Sequence, residues 1–334
     1  MSEKKFDWPV VGHNTQVRLL THSITQNTTG HAYLFLGQRH TGKKFITRLF
    51  AQSLLCTGQG MTPCKYCENC SAFTGNNHPD VHKIDVTNVY ESIGIDEVRE
   101  FNRLLHLKPA LNEKKIGIIL NAERLTMVAS NALLKLLEDS PKNVTVLLTA
   151  NSSVKLPPTL VSRCQLLKFK PVSELDMKQW LKQTKLSDTD EADLLHLSMG
   201  RISLAKTILE DSLSTYNKDI NKIIDILDLS KLDRMRYILD HVNVKNDNAD
   251  RYHSRSYALI DKLESLYHDV LLVKLGDDTI IHLSHLSRIK SIAKRFTLAA
   301  LIESMTAITD LRENISRYIN TQLSWEAFLL KSKL

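Results

Sequence analysis

The sequence predicts an α/β module built on a parallel sheet, followed by an all-α remainder. Three observations lead there. Strand-like apolar runs alternate with helix-period segments up to about residue 170, a phosphate-loop pattern follows the first run, and beyond Pro171 only helical spacing recurs.

Ala32-Tyr33-Leu34-Phe35-Leu36 reads as a buried strand. Lys43 to Leu55 reads as a helix offering Phe45, Leu49 and Leu54 to a core. Val81 to Val86 alternates like a strand, and Ile95, Val98, Phe101, Leu104 and Leu105 mark one helix face. Ile116 to Leu120 is a strand, Ser130 to Glu138 a helix, Val144 to Thr149 a strand and Gln165 to Phe169 a last short one. Strands regularly separated by helices imply a parallel sheet covered on both faces.

After Pro171, Ser173 with Glu174 opens a helix, and the Asp-rich segment Ser187 to Asp193 opens another. Ile220, Ile223, Ile224 and Leu227, and then Leu263, Leu266, Tyr267 and Val270, fall at helical spacing and read as bundle core. These patterns divide the chain at 171 and 212, into 1–170, 171–211 and 212–334. The polar, turn-rich Asn243 to Asp250 is the expected flexible piece.

The 334 residues are 43% hydrophobic and 24% charged, which sets aside disordered, collagenous and low-complexity classes. No apolar run is long enough for a membrane span, and Met1 to Trp8 holds no signal-peptide core, so a cytoplasmic protein is expected. The net charge of +7 is uneven. Residues 1–170 carry 21 Lys/Arg against 13 Asp/Glu, and residues 171–334 carry 23 against 24, so the basic excess lies in the α/β part. A polyanionic partner is implied without being identified.

Gly37-Gln38-Arg39-His40-Thr41-Gly42-Lys43-Lys44 stands between the first strand and its helix, the setting of a G-x-x-x-x-G-K-[ST] loop. In such a loop backbone amides wrap phosphates, the Lys reaches the terminal phosphates and the hydroxyl holds magnesium. Gly37, Gly42 and Lys43 are present, but Lys44 replaces the hydroxyl and His40 adds bulk. The strand Lys115 to Leu120 runs into Asn121 with no acidic pair at its end. Glu123, beside Arg124, reads as half of a surface salt bridge. A degenerate phosphate site with improbable hydrolysis is the result.

Cys56, Cys64, Cys67 and Cys70 follow a C-x7-C-x2-C-x2-C spacing, which suits a closed tetrahedral zinc site of structural type. An iron–sulfur cluster and an accidental group of thiols are weaker readings. Cys164 reads as a small buried residue. Lys65 and Lys83 read as solvated basic surface rather than nucleic-acid contacts.

Five features in order resemble the bacterial clamp loader of DNA polymerase III, an AAA+ family. They are His31 to Phe35 before the loop, the four-Cys module (56–70), His78-Pro79-Asp80, the Asn131 to Pro141 helix, and Ser162-Arg163-Cys164 before the last strand. The resemblance covers about residues 8–170. It implies an AAA+ module, a helical lid and a C-terminal collar domain that joins a hetero-oligomeric ring with gamma/tau and delta subunits. That ring acts on a sliding clamp and primer-template DNA. The family's acidic pair falls on Leu120 and Asn121, and its second-domain arginine falls on Ser203 after Gly200, with Arg201 out of register. Asn151 takes the place of a sensor polar group. These losses fit the delta-prime branch, whose ATP site is degraded, rather than the working gamma/tau ATPases. The resemblance implies that Arg163 is an arginine finger offered in trans to a neighbour's ATP. Taken alone, Arg163 would read as a helix-end residue paired with a local carboxylate. Two other readings remain, a working gamma/tau-type ATPase and a zinc-containing nucleic-acid-binding protein on an AAA+ scaffold.

Overall fold

The computed structural model describes residues 5–86, 92–111, 113–184, 186–242, 249–277, 279–316 and 320–332. Positions 243–248 of the expected flexible piece lie outside these. Two compact units are present, one from Met1–Thr87, Glu91–Trp180 and Gly200–Leu204, the other chiefly from Leu181–Met199 and Ala205–Leu334.

The first unit carries the predicted parallel sheet. β1 (Lys5–Phe6) pairs with β3 (Met61–Thr62) as a short separate ribbon, which the sequence pattern did not announce. The main sheet contains β2 (Ala32–Gly37), β4 (Val81–Asp85), β5 (Lys115–Leu120), β6 (Val144–Ala150) and β7 (Gln165–Phe169), in the order β4-β5-β6-β2-β7. Every neighbouring pair is parallel. The strand period of two sends alternate residues to opposite cores. Ala32 and Leu34 join Ile119, Val146 and Leu148 under α4 (Ile95–His106) and α5 (Met127–Glu138), while Tyr33 and Phe35 join Ile118, Leu120 and Phe169 under α2 (Lys43–Leu55).

The core face of α2 is Ile46, Phe50 and Leu54, at i, i+4 and i+8, reinforced by Ala51 and Leu55. Phe45 falls off that stripe and is 39% exposed, which corrects its expected core role. Helix α5 starts earlier than the pattern implied, because Thr126 caps it by accepting from the Ala129 amide at 3.2 Å. Three helices carried too little periodicity to be read. They are α1 (Asn14–Thr25), α3 (Glu68–Thr74) and the five-residue α6 (Pro158–Ser162). Beyond the sheet, Ser173 caps α7 (Glu174–Leu181) through the Asp176 amide at 3.2 Å.

Among its described residues the second unit has helices as its only regular secondary structure. It comprises α8 (Asp188–Ser198), most of α9 (Ile202–Asp211), α10 (Leu213–Asp228), α11 (Lys231–Val242), α12 (Ala249–Lys274), α13 (Leu286–Arg295), α14 (Leu298–Ser316) and α15 (Thr321–Lys331). Ser187 caps α8 through the Asp190 amide at 3.2 Å. Both predicted stripes lie in one core with Trp325, whose indole N–H donates to Ser256 Oγ at 3.3 Å. No described helix is long and apolar enough to cross a membrane.

Fully buried Asp269 organises the turn after α12. Its carboxylate accepts from the amides of Ile281 (2.9 Å) and His282 (2.8 Å) and from His282 Nδ1 (2.7 Å). Burial alone would raise this carboxyl, but the His282 ring and the two amides outweigh it and hold it below the usual range. Asp269→Ala is therefore expected to cost about 3 kcal/mol by leaving these donors unpaired. The native carboxyl titrates below its unfolded value. Its contribution is therefore complete above about pH 4 and is lost as pH falls through the native pKa. Urea unfolding at pH 7 and pH 3 should show the variant losing less on acidification than the parent chain.

Candidate functional site

The phosphate-loop segment lies at the carboxyl end of β2, where α2 begins. Gly42, at φ 89°, is the N-cap of α2 and occupies a left-handed conformation that favours glycine. Gly37 is required for a different reason, since a Cβ there would stand 2.0 Å from the Phe169 carbonyl oxygen of β7. The loop reaches its place only because nothing projects from β2 at that point.

The loop's carbonyls are largely taken up from within the unit. Lys43 Nζ donates to the carbonyls of Gly37 (2.5 Å) and Gln38 (2.6 Å) and to Asn151 Oδ1 (3.3 Å). The Ser203 amide donates to the His40 carbonyl at 3.0 Å, so the first turn of α9 is tied to the loop. His13, which no sequence motif marks, sets Nε2 2.9 Å from the Thr41 carbonyl and packs edge-on against Phe169. Burial pulls the Lys43 ammonium down to about 8, with the Glu123 carboxylate opposing that shift and Arg39 adding to it.

Asn151 bridges two charged groups. Its Nδ2 donates to Glu123 Oε1 at 2.5 Å while its Oδ1 accepts from Lys43. The surface pairing expected of Glu123 is corrected accordingly. The 3₁₀ turn Ala122–Arg124 carries its carboxylate inward, and Arg124 Nη1 instead donates to the Val86 carbonyl at 3.3 Å. Glu123 Oε2 is buried with no partner among the described residues. The only sequence signal was an acid three residues past β5, out of register with the family's acidic pair. Leu120 and Asn121 hold that register; Leu120 is core, and the Asn121 amide donates to Thr149 Oγ1 at 3.0 Å.

Lys44 turns away from the loop. Its ammonium pairs with Asp85 at 3.1 Å, and Asp85 is shared with Lys83 at 2.5 Å. At the opposite side of β2, Arg163 pairs Nη2 with Glu138 at 2.6 Å and donates Nη1 to the Thr159 carbonyl at 3.0 Å. In this conformation Arg163 is the C-cap of α6 and engages a local carboxylate. Cys164 is half-buried against the sheet core, and burial pushes its thiol up to about 12.

The four predicted cysteines converge. Their sulfurs lie within 4.8 Å of one another, with Cys64 and Cys70 Sγ atoms 3.9 Å apart. Backbone amides of Cys64, Cys67 and Cys70 point at the sulfurs of Cys56, Cys64 and Cys67 at 3.4, 3.3 and 3.4 Å. Amides directed at sulfur suit thiolates, and thiolates on a 2.3 Å tetrahedron lie about 3.8 Å apart. Cys56 ends α2 and Cys67 caps α3, so the cluster joins two helices.

Residues 12–173 match the family model described as DNA polymerase III, delta subunit. The chain is 26% identical over 315 residues to DNA polymerase III subunit delta' of Bacillus subtilis (strain 168), covering 94% of each. It is 33% identical over 190 residues to subunit delta' of Haemophilus influenzae (strain ATCC 51907 / DSM 11121 / KW20 / Rd), covering 57% of this chain and 58% of that protein. Against subunit tau/gamma of the same organism it is 36% identical over 173 residues, covering 52% of this chain and 25% of that protein.

The contact at Gly37 gives a direct test. Gly37→Ala sets a methyl group against backbone that cannot rotate aside, and should cost about 3 kcal/mol or more by separating β7 from β2. Chemical denaturation of the purified variant measures it.

Proposed function

We propose that the chain, whose residues 12–173 match the DNA polymerase III delta-subunit family model, is the non-hydrolysing, delta-prime-type stator of a clamp-loader ring. In this reading residues 1–170 are the AAA+ module, residues 171–211 are a lid and residues 212–334 a collar that joins gamma/tau and delta subunits. The assembled ring, in the cytoplasm, would place the sliding clamp on primed DNA. ATP is not turned over by this chain.

The observation that carries the reading is the fate of the two lysines. Lys44 stands where a magnesium-holding hydroxyl belongs and is committed to Asp85. Lys43 is spent on the carbonyls of its own loop. Hydrogen bonds from a charged donor are worth about 1.5–3 kcal/mol each, so a nucleotide would first have to offset that loss. Gly37, Gly42 and Lys43 thus form a degenerate phosphate loop. Arg163, between Ser162 and Cys164, is the residue left to act on ATP, held in trans against the γ-phosphate of a neighbouring subunit, where such an arginine stabilises charge developing in transfer. Cys56, Cys64, Cys67 and Cys70 would hold one structural zinc ion.

One observation favours a second reading, a working gamma/tau-type ATPase. The Glu123 carboxylate lies close enough to Lys43 to favour its charged form, so an acid is present beside the loop. Turnover of the isolated chain separates the two. The stator reading expects no ATP hydrolysis by the purified chain, and hydrolysis abolished by Glu123→Gln would overturn it. In the reassembled loader, Arg163→Ala should leave assembly intact and depress the clamp- and DNA-stimulated rate, with a loss of about 10³-fold or more at the one site served. Unchanged assembly with an unchanged rate would remove the finger role. Elemental analysis should return one zinc per chain, lost in Cys67→Ser. Iron with visible absorbance would point to a cluster instead.

A further inference from the structure

Lys44 spoils the phosphate-loop motif, and the structure gives it another place. Between α2, the α3-to-β4 connection and the edge of the sheet lies a cavity of about 300 Å³, at the lower end of the range for small-molecule sites. Its floor is apolar, made by Phe73, Val81, Ile118 and Leu120. Its rim is cationic, made by Lys44, Arg48 and Lys83.

The charge at the rim is not balanced locally. Lys44 and Lys83 share the single carboxylate of Asp85. The Arg48 guanidinium lies 5.5 Å from the Phe73 ring centroid and makes only a 3.5 Å contact with the Thr74 carbonyl, which leaves most of its five donors uncommitted among the described contacts. His78, also in the wall, does not add charge. Its Nδ1 accepts from the Asp80 amide at 3.1 Å and its Nε2 is 2.9 Å from Asn69 Oδ1, so the ring is a neutral, fixed surface. The Thr47 hydroxyl in the same wall is buried without a partner among the described residues.

We propose that this cavity binds a small organic anion, a single phosphate or carboxylate group carried on a flat apolar body of about one ring. The anionic group meets Arg48 and Lys83 at the rim, and the ring lies on the floor beside Phe73. Neither half suffices alone. Inorganic phosphate forgoes the apolar floor, and a neutral ring leaves the cations unanswered.

The test uses the full chain and phenyl phosphate as probe, titrated calorimetrically at physiological ionic strength beside inorganic phosphate and phenol. Phenyl phosphate is expected to bind one per chain, at least tenfold more tightly than either control. Arg48→Gln and Lys83→Gln, both on exposed rim positions, should each weaken it at least fivefold with unchanged thermal unfolding. Lys43→Met, which disables the phosphate loop, should leave it intact. Binding lost in Lys43→Met would assign the probe to the loop and overturn the proposal. Binding no tighter than that of inorganic phosphate, or indifferent to both rim variants, would overturn it as well.

Discussion

A parallel sheet has no face that tolerates water, because its crossover connections lay helices over both sides. The central strands of the main sheet obey that constraint. Residues 32 to 35 alternate between the two cores, and all six residues of β5 and all seven of β6 are buried. Covering both faces forces the chain to leave each strand at the same edge and turn into a helix there. Unpaired helix N–H groups gather at that edge, and so does anything that binds phosphate. The close passage of Gly37 by the Phe169 carbonyl fixes how far the turn after β2 can move.

The central strands were legible because buried parallel strands are written as unbroken apolar runs, and the edge strand β4 because it alternates. What was hidden lacked such a signature. Helix α1 has one fully buried side chain, Leu20, and starts at a left-handed His13 with no capping side chain, so neither periodicity nor a cap announced it. Helix α3 is shaped by the cysteine cluster rather than by an apolar stripe. At the site, Gly37, Gly42 and Lys43 were legible as a motif and the cysteines by their spacing, whereas Asn151 was reached only through the family resemblance. Glu123 was misread because adjacency to Arg124 suggested a pair, whereas the 3₁₀ turn sends the two side chains to different neighbours. One-dimensional adjacency carries no information about which way a single tight turn faces. The misplacement of Phe45 has the same origin, since one residue step along a helix is about 100° of rotation.

Lys44, at the hydroxyl position of the loop motif, and Arg163, to which the family resemblance gives a neighbour's phosphate, are both met here by local carboxylates. Such contacts are weak restraints. Arg163 and Glu138 are 36% and 48% exposed, and exposed ion pairs are worth about 0–1 kcal/mol. A multiply charged phosphate arriving at Arg163 therefore competes with little more than one screened carboxylate. Lys43 differs, being buried and held by several short bonds to its own loop. The loop lysine is the fixed charge and the arginine before β7 is the available one.

The four cysteines lie inside the connection that carries the chain from β2 to β4, and no strand of the main sheet falls between Cys56 and Cys70. Strand order is indifferent to how long that connection is. The cluster leans on its host through a small set of contacts, such as the Gln52 amide to the Cys70 carbonyl at 3.2 Å and Phe73 in the sheet core. Gain or loss of the whole segment as one insertion leaves every pairing of the main sheet in place and touches only the short β1–β3 ribbon, so chains that differ in it still share one scaffold.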